Sequence, residues 1–113
     1  MALDTVLADA EGGGRAAAGI EATIEAVNRG TVERLYLLRS LGEEGRACSA
    51  CQALQDAAST VCRWCNAATR SIELGEAMVQ RVLAAGGDVG IVDVHAGLAR
   101  AGGVAALLRY PSR

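Results

Sequence analysis

Lysine is absent from this sequence, and all 11 of its basic residues are arginine. Beside the abundant alanine and glycine, that absence reads as codon bias from a GC-rich genome rather than as chemistry. Aromatic residues make up only 3% of the chain, so the core must be built from Leu, Val, Ile and Ala, with few large anchors. A basic excess is missing too. The net charge is −2 and the pI about 5.3, which argues against a dedicated nucleic-acid binder with a basic face. No apolar run reaches the roughly 18 residues a transmembrane helix needs. The opening MALDTVLADAEGGG carries acids where a signal peptide has a positive segment. The expected compartment is therefore the bacterial or archaeal cytoplasm, with no membrane partner. What is present suits one folded domain: 113 residues, 51% of them hydrophobic, are enough for one core and too few for two ordinary domains.

The pattern along the chain alternates. Leu3 to Ala10 is helix-capable and runs into Gly12, Gly13 and Gly14, so residues 1–15 read as a linker or N-terminal extension. From Ala16 to Asn28, Ile20, Ile24 and Val27 recur at helical spacing, and Gly30 supplies a stop. Val32 to Leu38 is a short apolar run between glycines and is expected to be a buried strand. Residues 40–70 break this rhythm. "SIELGEAMVQRVLAAGG" then gives the clearest helix, with Ser71 as its expected cap, Glu73 and Glu76 in its first turns, and Gly86 and Gly87 closing it. "VGIVDVH" (89–95) reads as a strand, 96–103 as a helical turn and loop, and "VAALLRY" (104–110) as a strand ended by Pro111. Strands alternating with helices predict an α/β domain with a mixed central sheet and helices on its faces.

All four cysteines lie in "CSACQALQDAASTVCRWC", residues 48–65. The spacing C-x2-C-x10-C-x2-C makes two knuckles from Cys48, Cys51, Cys62 and Cys65. A two-residue gap lets both sulfurs of one turn reach one ion, and the loop lets the second pair complete a tetrahedron. Four thiolates leave no open position, so a zinc held there is structural rather than catalytic. Free thiols and a disulfide or redox pair remain as alternatives. The residue after the second cysteine of a knuckle needs a positive φ and is often glycine. Here those positions hold Gln52 and Asn66; Asn accepts that conformation more readily than Gln. Trp64 is expected to lid the zinc turn, with an exposed partner contact as the sharper reading. The segment has too few apolar residues to fold unaided, and a metal supplies what is missing.

No catalytic constellation assembles from the sequence, and the chain is not expected to be an enzyme. His95, the only histidine, reads as a capping or solvent-facing residue without catalytic partners. Gly102-Gly103 lacks the Lys-Ser/Thr of a phosphate loop, and the Gly12–Arg15 stretch reads as linker rather than anion nest.

"GGVAALLRY" (102–110) resembles the closing motif of the C-terminal domain in archaeal- and eukaryotic-type class 1 peptide chain release factors and their relative Pelota. "GIEATIEAVNRGTVERLYLL" (19–38) is similar to that domain's opening helix and first strand, and "IELGEAMVQRVLAAGGDVGIVD" (72–93) to its long helix and next strand. The paired cysteines between them resemble the zinc-bearing insertion of archaeal members and their bacterial relatives, which include ribosome hibernation factors of the Balon type. The resemblance spans roughly residues 16–110. It implies a three-layer α/β/α sandwich of the kink-turn ribosomal-protein kind, occupying 16–113, with an inserted zinc mini-domain at about 42–70. It implies a non-catalytic module that docks a translational GTPase or the ribosome during termination, rescue or hibernation. The family's release-active Gly-Gly-Gln tripeptide is absent here, so the chain reads as a C-terminal piece or as a domain standing alone. A kink-turn RNA binder is the alternative, disfavoured by the acidic balance and few aromatics.

Overall fold

The alternation becomes four helices and seven strands among the described residues, 3–12 and 14–110, of a computed structural model. In chain order these are α1 (Leu3–Glu11), β1 (Ala16–Ala18), α2 (Ile20–Arg29), β2 (Val32–Leu38), β3 (Glu44–Cys48), β4 (Leu54–Asp56), β5 (Thr69–Glu73), α3 (Leu74–Ala84), β6 (Asp88–Val92), α4 (Ala96–Arg100) and β7 (Val104–Leu108). The main sheet runs β1-β7-β2-β6. It is mixed: β7 is antiparallel to β1 and β2, while β6 is parallel to β2.

Side chains alternate across this sheet, as the period of two requires. Leu35 and Leu37 of β2 face α2 and α3, together with Val104, Ala106 and Leu108 of β7 and Ala17 of β1. The helices answer with Ile24 and Val27 from α2 and Met78 and Val82 from α3. Tyr36, Ala16 and Leu107 point the other way, against Val6 and Leu3 of α1. Val32 shares the face of Leu35 despite the odd spacing, because the pairing with β7 slips between Val32 and Arg34. Helices therefore cover both faces, α2 and α3 on one and α1 with α4 on the other, giving the three-layer sandwich. The first helix belongs to the packed body: Val6 is fully buried.

Two expectations about elements are corrected. Ala16–Ala18 is a strand, not the start of a helix. Backbone pairing of Ala16–Ala18 with Ala105–Leu107 outweighs alanine's helix propensity, and Gly19 at φ 91 turns the chain into α2. Ser71 does not cap α3. It lies in β5 opposite Arg46 of β3, and its hydroxyl donates to Glu44 at 3.0 Å. Glu73 is the cap instead, accepting from the Glu76 amide at 2.8 Å. The cysteine segment, to which the sequence pattern assigns no element, is sheet-bearing: β4-β3-β5 form a second, three-stranded sheet. Its Ala47, Leu54 and Ile72 pack into the same core as α2 and α3. Gly45 makes this approach possible, since a Cβ there would lie 2.9 Å from both the Gln55 carbonyl oxygen and a Leu74 methyl. Pro111 lies outside the described residues.

Other expectations hold. The strand read over Val32–Leu38 has those bounds. Gly30 closes α2 at φ 72, in the left-handed region that glycine enters without penalty. One buried group in α2 is left over: the Thr23 hydroxyl is fully buried and has no hydrogen-bond partner among the described residues. Thr23→Val keeps the shape and removes the unsatisfied hydroxyl. We expect unchanged stability or a gain of up to about 1 kcal/mol, read from the urea midpoint; a clear loss would mean that the hydroxyl is bonded in solution.

Candidate metal centre

The four cysteines converge. Cys48 is the last residue of β3, and the turn to β4 carries Cys51. Cys62 and Cys65 sit in the connection from β4 to β5, beside an isolated bridge between Val61 and Ala68. The two turns repeat each other. The Cys48 amide donates to the Ala53 carbonyl at 2.9 Å, and the Cys62 amide to the Ala67 carbonyl at the same distance. In the first turn the amides of Ala50 and Cys51 both donate to the Cys48 sulfur at 3.3 Å. In the second, the Cys65 and Trp64 amides serve Cys62. Each turn then needs one left-handed residue, and these are Gln52 at φ 67 and Asn66 at φ 63, the only non-glycine residues with positive φ among those described.

All four sulfurs lie within 4.8 Å of one another. Cys48 and Cys65 are 3.5 Å apart, and Cys51 and Cys62 3.6 Å. A tetrahedron with metal–sulfur bonds of about 2.3 Å has edges of roughly 3.8 Å, whereas a disulfide needs about 2.05 Å. The donor set therefore has the size and chemistry to hold one metal ion. Protonation divides it in two. The Cys51 amide and, against the pull of desolvation, the Ala50 amide bring the Cys48 thiol down from 9.0 to about 6. The Cys65 and Trp64 amides lower Cys62 likewise. The Ala67 amide favours the Cys65 thiolate, but Cys48, desolvation and the other two sulfurs outweigh it and push the thiol up to about 12. Cys51 is raised in the same way, mainly by Cys48 against its own amide bond from Ala53. Without metal, the protons therefore rest preferentially on Cys51 and Cys65, and thiolate character on Cys48 and Cys62.

A metal must displace the protons on Cys51 and Cys65, so acid favours the metal-free form and alkali the bound one. A positive number of protons therefore leaves per ion bound, and the apparent binding constant climbs with pH. Calorimetric titration with zinc in buffers of different ionisation enthalpy reads that number directly. A release of zero protons would contradict the split.

The residues that hold the turns in place were not visible in the sequence. Gln55 is fully buried in β4. Its amide nitrogen donates to the carbonyls of Ser59 and Val61, each at 3.1 Å, and its oxygen accepts from the Arg63 amide at 3.1 Å. One side chain thereby shapes the loop that delivers Cys62. Asn28, in the last turn of α2, grips Leu54 at both ends of its backbone unit, donating to the carbonyl at 2.8 Å and accepting from the amide at 2.9 Å. Arg46 ties β3 to Thr69 through the hydroxyl at 2.7 Å and the carbonyl at 2.9 Å. A lone Gln or Asn carries no spacing signal, because its partners are backbone groups fixed only by the fold.

Two expectations about single residues part ways here. Trp64 does not lid the cysteines: it is 56% exposed, lies under the Arg63 guanidinium at 5.6 Å, and borders an open groove of about 560 Å³ with Ile24 and Asn28. His95 caps, as expected. Its Nδ1 accepts from the Leu98 amide at 3.0 Å, and its Nε2 lies 3.0 Å from Asp4, joining α4 to α1. Arg109 donates to the Ala85 carbonyl at 2.8 Å and so secures the end of α3. No helix among the described residues is long and apolar enough to cross a membrane.

No family model matches the sequence, and no curated protein matches it. Solved structures do. The C-terminal domain of a peptide chain release factor from Methanosarcina mazei superposes with a TM-score of 0.66 at 18% identity, over 96% of this chain and 79% of that one. Pelota from Archaeoglobus fulgidus gives 0.58 at 21% identity, over 98% of this chain and 29% of its own. Archaeal Pelota, in a model of its ribosome-bound state with ABCE1, gives 0.61 at 27% identity, over 98% of this chain and 26% of its own. The chain thus has the fold that its closing motif suggested, and it spans under a third of either Pelota chain.

Proposed function

We propose that this chain is a non-catalytic interaction domain of a release-factor-like, ribosome-associated protein of the cytoplasm. Residues 16–113 form the docking domain, with α1 of the N-terminal extension packed on its sheet, and the segment at about 42–70 is its metal-bearing insertion. Cys48, Cys51, Cys62 and Cys65 hold a structural zinc, which fixes the two turns and performs no chemistry on a substrate. The partner is a translational GTPase, the ribosome itself, or both.

One observation carries this reading. The match to ribosome-bound archaeal Pelota spans 98% of the chain, from one end of the sandwich to the other. A likeness of that extent supports a module of the same kind more strongly than a match to a short α/β segment would. The acidic balance supports protein docking over direct RNA binding, since the phosphate backbone rewards a basic surface.

The test is capture from cytosolic extract with the zinc-loaded domain as bait, together with co-sedimentation on purified ribosomes. We expect an elongation-factor-type GTPase or ribosomal particles to be retained, and retention to fall with a Cys48→Ser, Cys51→Ser bait. A folded, zinc-loaded domain that retains neither overturns the docking role.

A further inference from the structure

The four sulfurs are not equivalent. Cys48 and Cys62 are buried, whereas Cys51 and Cys65 are exposed. The two sulfur–sulfur contacts with hydrogen-bonding geometry, 3.5 Å for Cys48–Cys65 and 3.6 Å for Cys51–Cys62, each join a buried sulfur to an exposed one. Both run between the knuckles rather than within them. We propose that this cluster is a site of reversible oxidation by peroxides, in which the exposed Cys65 and Cys51 react first and the bridges formed are Cys48–Cys65 and Cys51–Cys62. The inference rests on the zinc reading for its resting state and goes beyond it in assigning a modification and its connectivity.

The steps balance. An exposed thiolate attacks one oxygen of hydrogen peroxide; the O–O bond breaks, hydroxide leaves, and the cysteine becomes a sulfenic acid. The buried thiolate facing it attacks that sulfur, the S–O bond breaks, a second hydroxide leaves, and a disulfide forms. Each bridge consumes one peroxide and transfers two electrons to it. Two peroxides thus convert four metal-bound thiolates into two disulfides, four hydroxides and one free zinc ion.

Geometry selects the partners. Closing a cross-knuckle pair to about 2.05 Å requires a movement of only about 1.5 Å between facing sulfurs. A Cys48–Cys51 bridge instead pulls the Cys48 sulfur away from the Ala50 and Cys51 amides that now bond it. The cross-knuckle bridges also tie the same two turns that the metal ties, so the second sheet keeps its architecture in the oxidised state. The switch is then between two closed forms with different surfaces at Trp64, which sits between Cys62 and Cys65.

The experiment treats zinc-loaded protein with two equivalents of hydrogen peroxide. It reads released zinc with a chromogenic chelator and the free-thiol count with a thiol reagent, then maps the bridges. Cleavage after Arg46, Arg63 and Arg70 and before Asp56 yields peptides 47–55, 56–63 and 64–70, holding Cys48 with Cys51, Cys62, and Cys65 respectively. The expected product is one species of all three peptides. Fragmentation between Cys48 and Cys51 should place 64–70 on Cys48 and 56–63 on Cys51. Reduction should restore four thiols and zinc uptake. An internally bridged 47–55 peptide beside 56–63 joined to 64–70 overturns the proposal. So do the opposite cross-pairing and irreversible oxidation to sulfinic acid. A protein that takes up no zinc yet gives the expected three-peptide species sinks the metal reading alone. One that takes up a full equivalent of zinc but forms within-knuckle bridges sinks the connectivity alone.

Discussion

Stripped of metal by a strong chelator at neutral pH, the domain loses order across residues 44–73 while the main sheet survives. The reason is the thinness of the second sheet's own core. Ala47, Leu54 and Ile72 reach the shared core, but the loops beyond them contribute Cys48 and Cys62 as their main buried apolar groups. Area burial of that size does not offset the backbone entropy of roughly 1–2 kcal/mol for each ordered residue. Binding of a structural zinc is comparable in size to the whole stability of a small domain, so its removal decides whether these loops are ordered. Hydrogen exchange locates the effect. The amides of Ala50 and Cys51, which bond the Cys48 sulfur, should lose protection by orders of magnitude. Those of Leu35 and Ala106 in the β2–β7 pairing should keep theirs. Trp64, the only tryptophan, gives a fluorescence change that follows the same transition. Identical exchange across 44–73 with and without the metal would rule out a structural role for the cluster.

Gln55→Leu is the substitution with the next largest expected effect. The leucine fills similar space but leaves the Arg63 amide and the Ser59 carbonyl without their partner, and Val61 with only the Ser59 hydroxyl. Each buried group left unmade costs about 1–3 kcal/mol, so a loss of about 2–4 kcal/mol is expected for the set. The loss is also directional. With the loop released, Cys62 is no longer delivered to a fixed point, and zinc affinity should fall at least tenfold. Denaturant unfolding and competitive zinc titration read the two effects separately. Full stability with normal zinc affinity would show that water replaces the glutamine at no cost.

How much of this was legible in the sequence depends on where each residue's partners lie. Val32–Leu38 and the end of α2 at Gly30 were legible because their signals are local: a short apolar run and a glycine that alone enters the left-handed region easily. The cysteine cluster was legible because its chemistry imposes a spacing. The same reasoning located the two strained positions, Gln52 and Asn66, from the turn's demand for positive φ. Ala16–Ala18 was not legible as a strand. Three alanines favour helix by propensity, and only pairing with β7, some 90 residues later, reverses that preference. The second sheet was hidden for a related reason. Its strands β3 and β4 are short, and β5 ran into the helical pattern that follows. Gln55 and Asn28 look like surface residues in any window, since their partners are main-chain atoms with no sequence identity. Trp64 misled because aromatics are usually buried, whereas here the knuckle turns the ring outward beside Arg63.

The strand order β1-β7-β2-β6 has a consequence for synthesis. The element that comes last among those described, β7, does not lie at an edge; it is threaded between β1 and β2 and pairs with both. Until residues 104–108 have left the ribosomal tunnel, β1 has no neighbour in the sheet and β2 lacks one of its two. The nascent chain can pack α3 on β2 and β6, but β1 joins the sheet, and Val104, Ala106 and Leu108 complete the core, only when β7 arrives. A ribosome that stalls a few codons before that point would hold an unfinished molecule whose central strand is missing.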